Sequence, residues 1–138
     1  MAKVAPIILL DTGLKYLNEG QLQFLAKTLA AHAAPICLFM HHPPIPMGVP
    51  FMDEHHALQA TDALLAILAA HSYPITIFTG HYHVDKSARW KHVDVHVTPS
   101  CFFQIDWRSQ AFQVDHYRKA YRVIDWDGER LLHGLVYF

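Results

Sequence analysis

Two short histidine motifs carry the chemistry of this sequence. Gly80-His81-Tyr82-His83 places two imidazoles two residues apart, and Met40-His41-His42-Pro43-Pro44 places two side by side. On an extended backbone His81 and His83 would share one face and Tyr82 the other. Such a pair can bind one metal ion or bridge two. A pair of hydrogen-bonded surface histidines would read the same way. The second motif favours metal, because each follows a short, very apolar run, Ile36–Met40 and Ile75–Thr79. These runs read as buried strands of a parallel sheet. In open α/β sheets, ligands bind beyond the carboxyl ends of the strands.

The elements that must position the motifs can be taken in order. Ile7–Leu10 is a strand closed by the turn Asp11-Thr12-Gly13. Asn18 caps a helix carrying Leu22, Leu25 and Leu29, with Gln21 where a capping box asks for it. The helix must stop near Ala34, because Pro35 disfavours helix before it. After the first histidine strand, Pro43, Pro44, Pro46, Gly48 and Pro50 stiffen a loop. Asp53 is expected to cap a second helix bearing Leu58, Thr61, Leu65 and Leu68. Val84–Trp90 and Val93–Val97 read as an antiparallel pair around Lys91-His92. Thr98 to Lys119 reads as a packed loop. Tyr121–Trp126 and Arg130–Tyr137 flank Asp127-Gly128, a hairpin signal.

The other histidines carry less. His55 and His56 are expected in the first turn of a helix, at most on a rim. His96 alternates with valines. His116, beside Asp115 and Tyr117, is a candidate for substrate contact. His32, His71, His92 and His133 read as ordinary.

The chain has 138 residues, 52% of them hydrophobic and 17% charged, with a formal net charge of −1. One packed domain over 1–138 is expected. No basic face marks a nucleic-acid polymer as partner. Cys37 and Cys101 have no zinc-type spacing, and Cys37 reads as a reduced, buried hydrophobe. The first residues lack the flanks of a signal peptide, and no apolar run is long enough to span a membrane. A cytoplasmic protein is the resulting expectation.

The block from His41 to Gly48, the Gly80–His83 tetrad and Thr98-Pro99-Ser100 resemble the calcineurin-like metallophosphoesterases, in particular the bacterial cyclic-nucleotide and glycerophosphodiester phosphodiesterases. The resemblance runs from about Leu9 onward. It implies an α/β fold, the C-terminal half of a four-layer α-β-β-α sandwich, with parallel strands and crossover helices followed by antiparallel hairpins. It also implies a two-metal site for manganese, iron, zinc or cobalt. There His41 and His81 would bind one metal and His83 the other, with His42 a neighbour and His116 a possible substrate contact. The metals would bridge a hydroxide that attacks phosphorus in a small phosphodiester.

The family's N-terminal D-x-H, G-D-x-x-D and G-N-H-[D/E] motifs have no counterpart here. The chain therefore reads as a C-terminal half that holds one metal ion or none by itself and is weak or inactive alone. A homo-oligomer or a complementary N-terminal chain would complete it. The alternatives are a non-catalytic, self-associating remnant and a histidine-metal-binding domain.

Overall fold

The computed structural model describes residues 6–127 and 130–138. Its centre is a five-stranded sheet in the order β1-β2-β3-β5-β4. The strands are β1 (Ile7–Leu10), β2 (Ile36–Met40), β3 (Ile75–Thr79), β4 (Lys86–Trp90) and β5 (Val93–Val97). β1, β2, β3 and β5 run parallel, and β4 returns antiparallel beside β5. The expected strand pair is present, but β4 begins at Lys86 rather than Val84.

One face of the sheet is uniformly apolar. Ile8, Leu10, Leu38, Met40, Ile77 and Val95 join Leu25 and Leu29 of helix α1 (Glu19–Ala31) in one buried cluster. Leu64 and Leu68 of α3 (Asp62–Ala70) complete that layer. The N-cap of α1 is as expected, with the Asn18 side chain accepting from the Gln21 N–H. The Gln21 side chain turns instead to the Asp11 N–H. The expected second helix is two. Pro50 opens the short helix α2 (Pro50–His55), and Ala60, with φ of 53°, interrupts the chain before α3. Asp53 lies inside α2 rather than capping a helix. Its carboxylate accepts from the N–H groups of Met47 at 3.0 Å and Val49 at 2.9 Å, closing the Pro-rich loop onto the helix.

The opposite face carries Leu9, Phe39, Phe78 and His96 in one row across β1, β2, β3 and β5. A hairpin of β8 (Ala120–Trp126) and β9 (Leu131–Tyr137) packs over its far end, with His133 against Phe78 and His96. At the near end Ile7 and Leu9 remain 61% and 72% exposed. Helices on one face and a hairpin on the other match half of the expected sandwich. The Asp127-Gly128 turn falls partly outside the described residues, because Gly128 is not among them.

The segment from Thr98 to Lys119 is not simply a loop. It holds a small hairpin of β6 (Gln104–Ile105) and β7 (Val114–His116). Strands this short show no period in sequence. Cys37 is buried, which raises its thiol pKa to about 11, as a reduced core residue requires. Among the described residues, no helix is long and apolar enough to cross a membrane.

Candidate metal centre

β2 and β3 are adjacent and parallel, with Phe39 level with Phe78. The two histidine segments therefore leave the same edge of the sheet side by side. They remain joined one step further, where the Gly80 N–H donates to the His41 carbonyl at 3.1 Å.

The next three residues depart from the extended course expected of them. His81 and His83 have φ of 64° and 53°, the left-handed region, which costs a non-glycine residue about 1 kcal/mol. The Tyr82 N–H donates to the Gly80 carbonyl at 2.7 Å, so the chain doubles back. The cause is Tyr82, whose ring is fully buried in the core. Burial, then the nearby Asp53 carboxylate, raises the pKa of its hydroxyl, which makes no well-formed hydrogen bond. The histidines stay at the surface because Tyr82 is anchored below them, not because a strand alternates.

Each imidazole has a definable tautomer. A carbonyl only accepts, so His83 Nδ1 donates to Phe103 O at 3.0 Å and keeps Nε2 as a lone pair. His81 Nε2 donates to His56 O at 3.2 Å, which leaves Nδ1 free to accept from His41 Nε2 at 3.1 Å. Metal-binding histidines almost always spend their other N–H on a carbonyl or carboxylate in this way. Two nitrogens bound to one ion at about 2.1 Å and at a right angle lie about 3.0 Å apart. The His41–His81 pair already has that spacing.

His42 is buried behind the pair. Its ring centre is 4.0 Å from that of His81, and its Nδ1 lies 2.9 Å from Thr12 Oγ1. The Thr12 hydroxyl also accepts from the His42 N–H. Burial, then the neighbouring His42 and His41, pushes the His81 pKa down to about 4. Burial likewise lowers His42 and His83. All three are thus held neutral, the form that coordinates a cation.

His116 stands apart from this group. It lies opposite Gln104 on β7, accepts from the Arg118 N–H and is 4.0 Å from Asp115. His55 and His56 are not in the first turn of a helix, as expected, but at the end of α2, where His56 offers its carbonyl. Thr12 and the carbonyls of His56 and Phe103 were not singled out in the sequence. Only Thr12 had a signal, its place at the end of a strand beside the histidine strand. An aromatic wall adjoins the turn, with Phe103 tilted against His83 at 4.7 Å between ring centres and Phe112 near both Phe103 and Phe51.

The imidazoles fit part of a metal centre. Among the described residues, no group of three or more His, Cys, Asp or Glu side chains is placed to hold an ion.

Comparison with known proteins agrees with this partial character. No family model matches the chain. A probable cyclic nucleotide phosphodiesterase of Fibrobacter succinogenes is 32% identical over 132 residues, 96% of this chain and 51% of that protein. The 3′,5′-cyclic adenosine monophosphate phosphodiesterase of Escherichia coli K12 is 29% identical over 79% of this chain and 40% of its own. A dimetal phosphatase from Danio rerio superposes with a TM-score of 0.56 at 20% identity, over 78% of this chain and 34% of that one. The chain belongs to the calcineurin-like metallophosphoesterases. It spans about half the length of the curated relatives it matches.

Proposed function

We propose that this chain is the histidine-bearing part of a metal-dependent phosphodiesterase, acting on a small phosphodiester and weak or inactive by itself. The observation that carries the reading is the turn at His81 and His83, where each imidazole spends one nitrogen on a backbone carbonyl and keeps the other as a lone pair, that of His81 facing His41 Nε2. His41 and His81 would hold one ion and His83 a second, of manganese, iron, zinc or cobalt. Such a metal supplies Lewis acidity and a water that deprotonates near neutral pH. For its part, the chain supplies neutral imidazoles, a buried His42 behind them, and the mutually tilted rings of Phe51, Phe103 and Phe112 as an apolar wall for the ester group. His116 is an outlying candidate for substrate contact, within the single domain over 1–138. A cytoplasmic setting fits the reduced Cys37.

Full activity requires carboxylates that these side chains do not provide. A second polypeptide, either a complementary chain or another copy, would bring them across the open sheet face at Ile7 and Leu9. A groove of about 490 Å3 runs from Leu9 and Phe39 to His41 and Tyr121 on that face. That no three such side chains converge among the described residues favours a second reading, in which the chain associates and binds metal without turnover.

The test is isothermal titration of the chain with Mn2+ or Zn2+, together with hydrolysis of a chromogenic phosphodiester. His81→Ala is the control. The expected result is metal binding that disappears in the variant, with turnover at or near background. No binding by the unaltered chain would refute the metal reading. Turnover lost in His81→Ala would refute inactivity in isolation and exclude the second reading.

A further inference from the structure

His133 and Arg122, which the histidine motifs leave unused, meet between the sheet and the β8–β9 hairpin, Arg122 with its side chain buried and His133 at the exposed edge. The Arg122 side chain is only 6% exposed. Its Nη1 donates to His133 Nδ1 at 2.8 Å, its Nε to Thr98 Oγ1 at 3.2 Å and its Nη2 to the Val97 carbonyl at 3.1 Å. Asp85 Oδ1 lies 3.6 Å from Nη2, and the guanidinium sits 5.9 Å from the Phe78 ring centre. One planar cation thus ties together β3, the end of β5, β9 and the segment after His83.

Two of these partners flank the histidine turn. The Thr98 N–H donates to the Thr79 carbonyl at 2.8 Å, and the next residue, Gly80, is bonded to His41. Asp85 is two residues beyond His83. The turn between them holds two residues in the left-handed region, a course that persists only where its surroundings dictate it. Tyr82 holds the middle of the turn, and Arg122 reaches both of its ends.

We infer that Arg122 is a positioning residue for the Gly80–His83 turn, gripping Thr98 on one side and Asp85 on the other so that His81 and His83 keep their bent course. Arginine is suited to this because its rigid planar fork addresses separated acceptors at once, whereas a lysine ammonium is a compact point charge on a flexible stem. The inference concerns the same site as the metal-centre reading, but its main test needs no metal.

The experiment is imidazole 1H–15N NMR on the metal-free chain, comparing the unaltered protein with Arg122→Lys, Thr98→Val and Asp85→Asn. In the unaltered protein His83 is locked as the Nδ1–H form and His81 as the Nε2–H form. In Arg122→Lys the His83 signal is expected to move to the mixture of a free imidazole, while amide signals from α1 and α3 stay in place. Thr98→Val and Asp85→Asn should each give part of that change. They also carry the test if Arg122→Lys does not fold. Unchanged His81 and His83 signals in the folded variants would overturn the inference and leave Arg122 as a pin for the hairpin alone.

The second readout is Zn2+ affinity, expected to fall about tenfold in Arg122→Lys. If the unaltered chain binds no Zn2+, the metal reading fails, and the imidazole signals still decide the role of Arg122.

Discussion

Acid should loosen this fold at His96 in a calculable way. The ring is half-buried on β5, with Nδ1 2.7 Å from Ser87 Oγ on β4 and its ring centre 4.2 Å from that of His133 on β9. Burial, then His133 and Arg122, pushes its pKa from 6.5 down to about 4, while Asp94 and Asp85 pull the other way. The folded state therefore binds fewer protons than the unfolded one between about pH 4 and pH 6.5. Stability from this group is complete above pH 6.5, falls between pH 6.5 and about 4, and is flat below.

A shift of that size amounts at most to about 3.4 kcal/mol, of which about 2 kcal/mol would be lost by pH 5. Partial exposure screens the charge, and we halve the figure to about 1 kcal/mol. With a urea m-value of about 1.5 kcal/mol/M, that moves the midpoint by about 0.7 M. The assay is tryptophan fluorescence in urea at pH 7.5 and pH 5, for the unaltered chain and His96→Asn with chelator present. The unaltered chain should lose more than 0.7 M, because His42, His81, His83 and His133 are lowered in the same direction. His96→Asn should lose about 0.7 M less. Equal losses in the two proteins would refute the reasoning, whatever their absolute stabilities.

Two substitutions test the turn and the loop from the backbone side. Gly80→Ala should change the unfolding free energy measured in urea by less than about 0.5 kcal/mol, because the added Cβ would meet the His41 ring at an ordinary 3.6 Å. Gly48→Ala should cost about 1 kcal/mol by the same measurement, because its φ is +71° although space is open around it. Tyr82→Phe should be neutral to slightly stabilising in thermal unfolding, since the hydroxyl removed is buried without a proper partner. A loss above about 2 kcal/mol would mean that Asp53 does bond the hydroxyl in solution.

The parallel strands were legible because burial on both faces leaves an unbroken apolar run, and Ile36–Met40 and Ile75–Thr79 are such runs. Helix α1 was legible because its cap and its stripe agree. The break between α2 and α3 was not. It depends on Ala60 adopting a left-handed φ, and alanine carries no signal for that. β6 and β7 were missed for a different reason. They are two and three residues long, held by pairing to each other and by Gln104, whose side chain bonds the carbonyls of Ser100 and Arg118. Such contacts are set by tertiary structure and leave no period.

The histidine turn shows why a motif can point to the right residues by the wrong geometry. The spacing of His81 and His83 suggested alternation along a strand, with glycine supplying any unusual backbone. Instead Gly80 keeps a course open to any residue, and the two histidines take the left-handed one. A strand would have buried one side chain in two and left the carbonyl partners out of reach. The bend puts Tyr82 into the core and both imidazoles against backbone carbonyls at once. Local preference is overruled where three separate segments, led by His41, His56 and Phe103, meet one turn. That is the condition under which a strained backbone is kept.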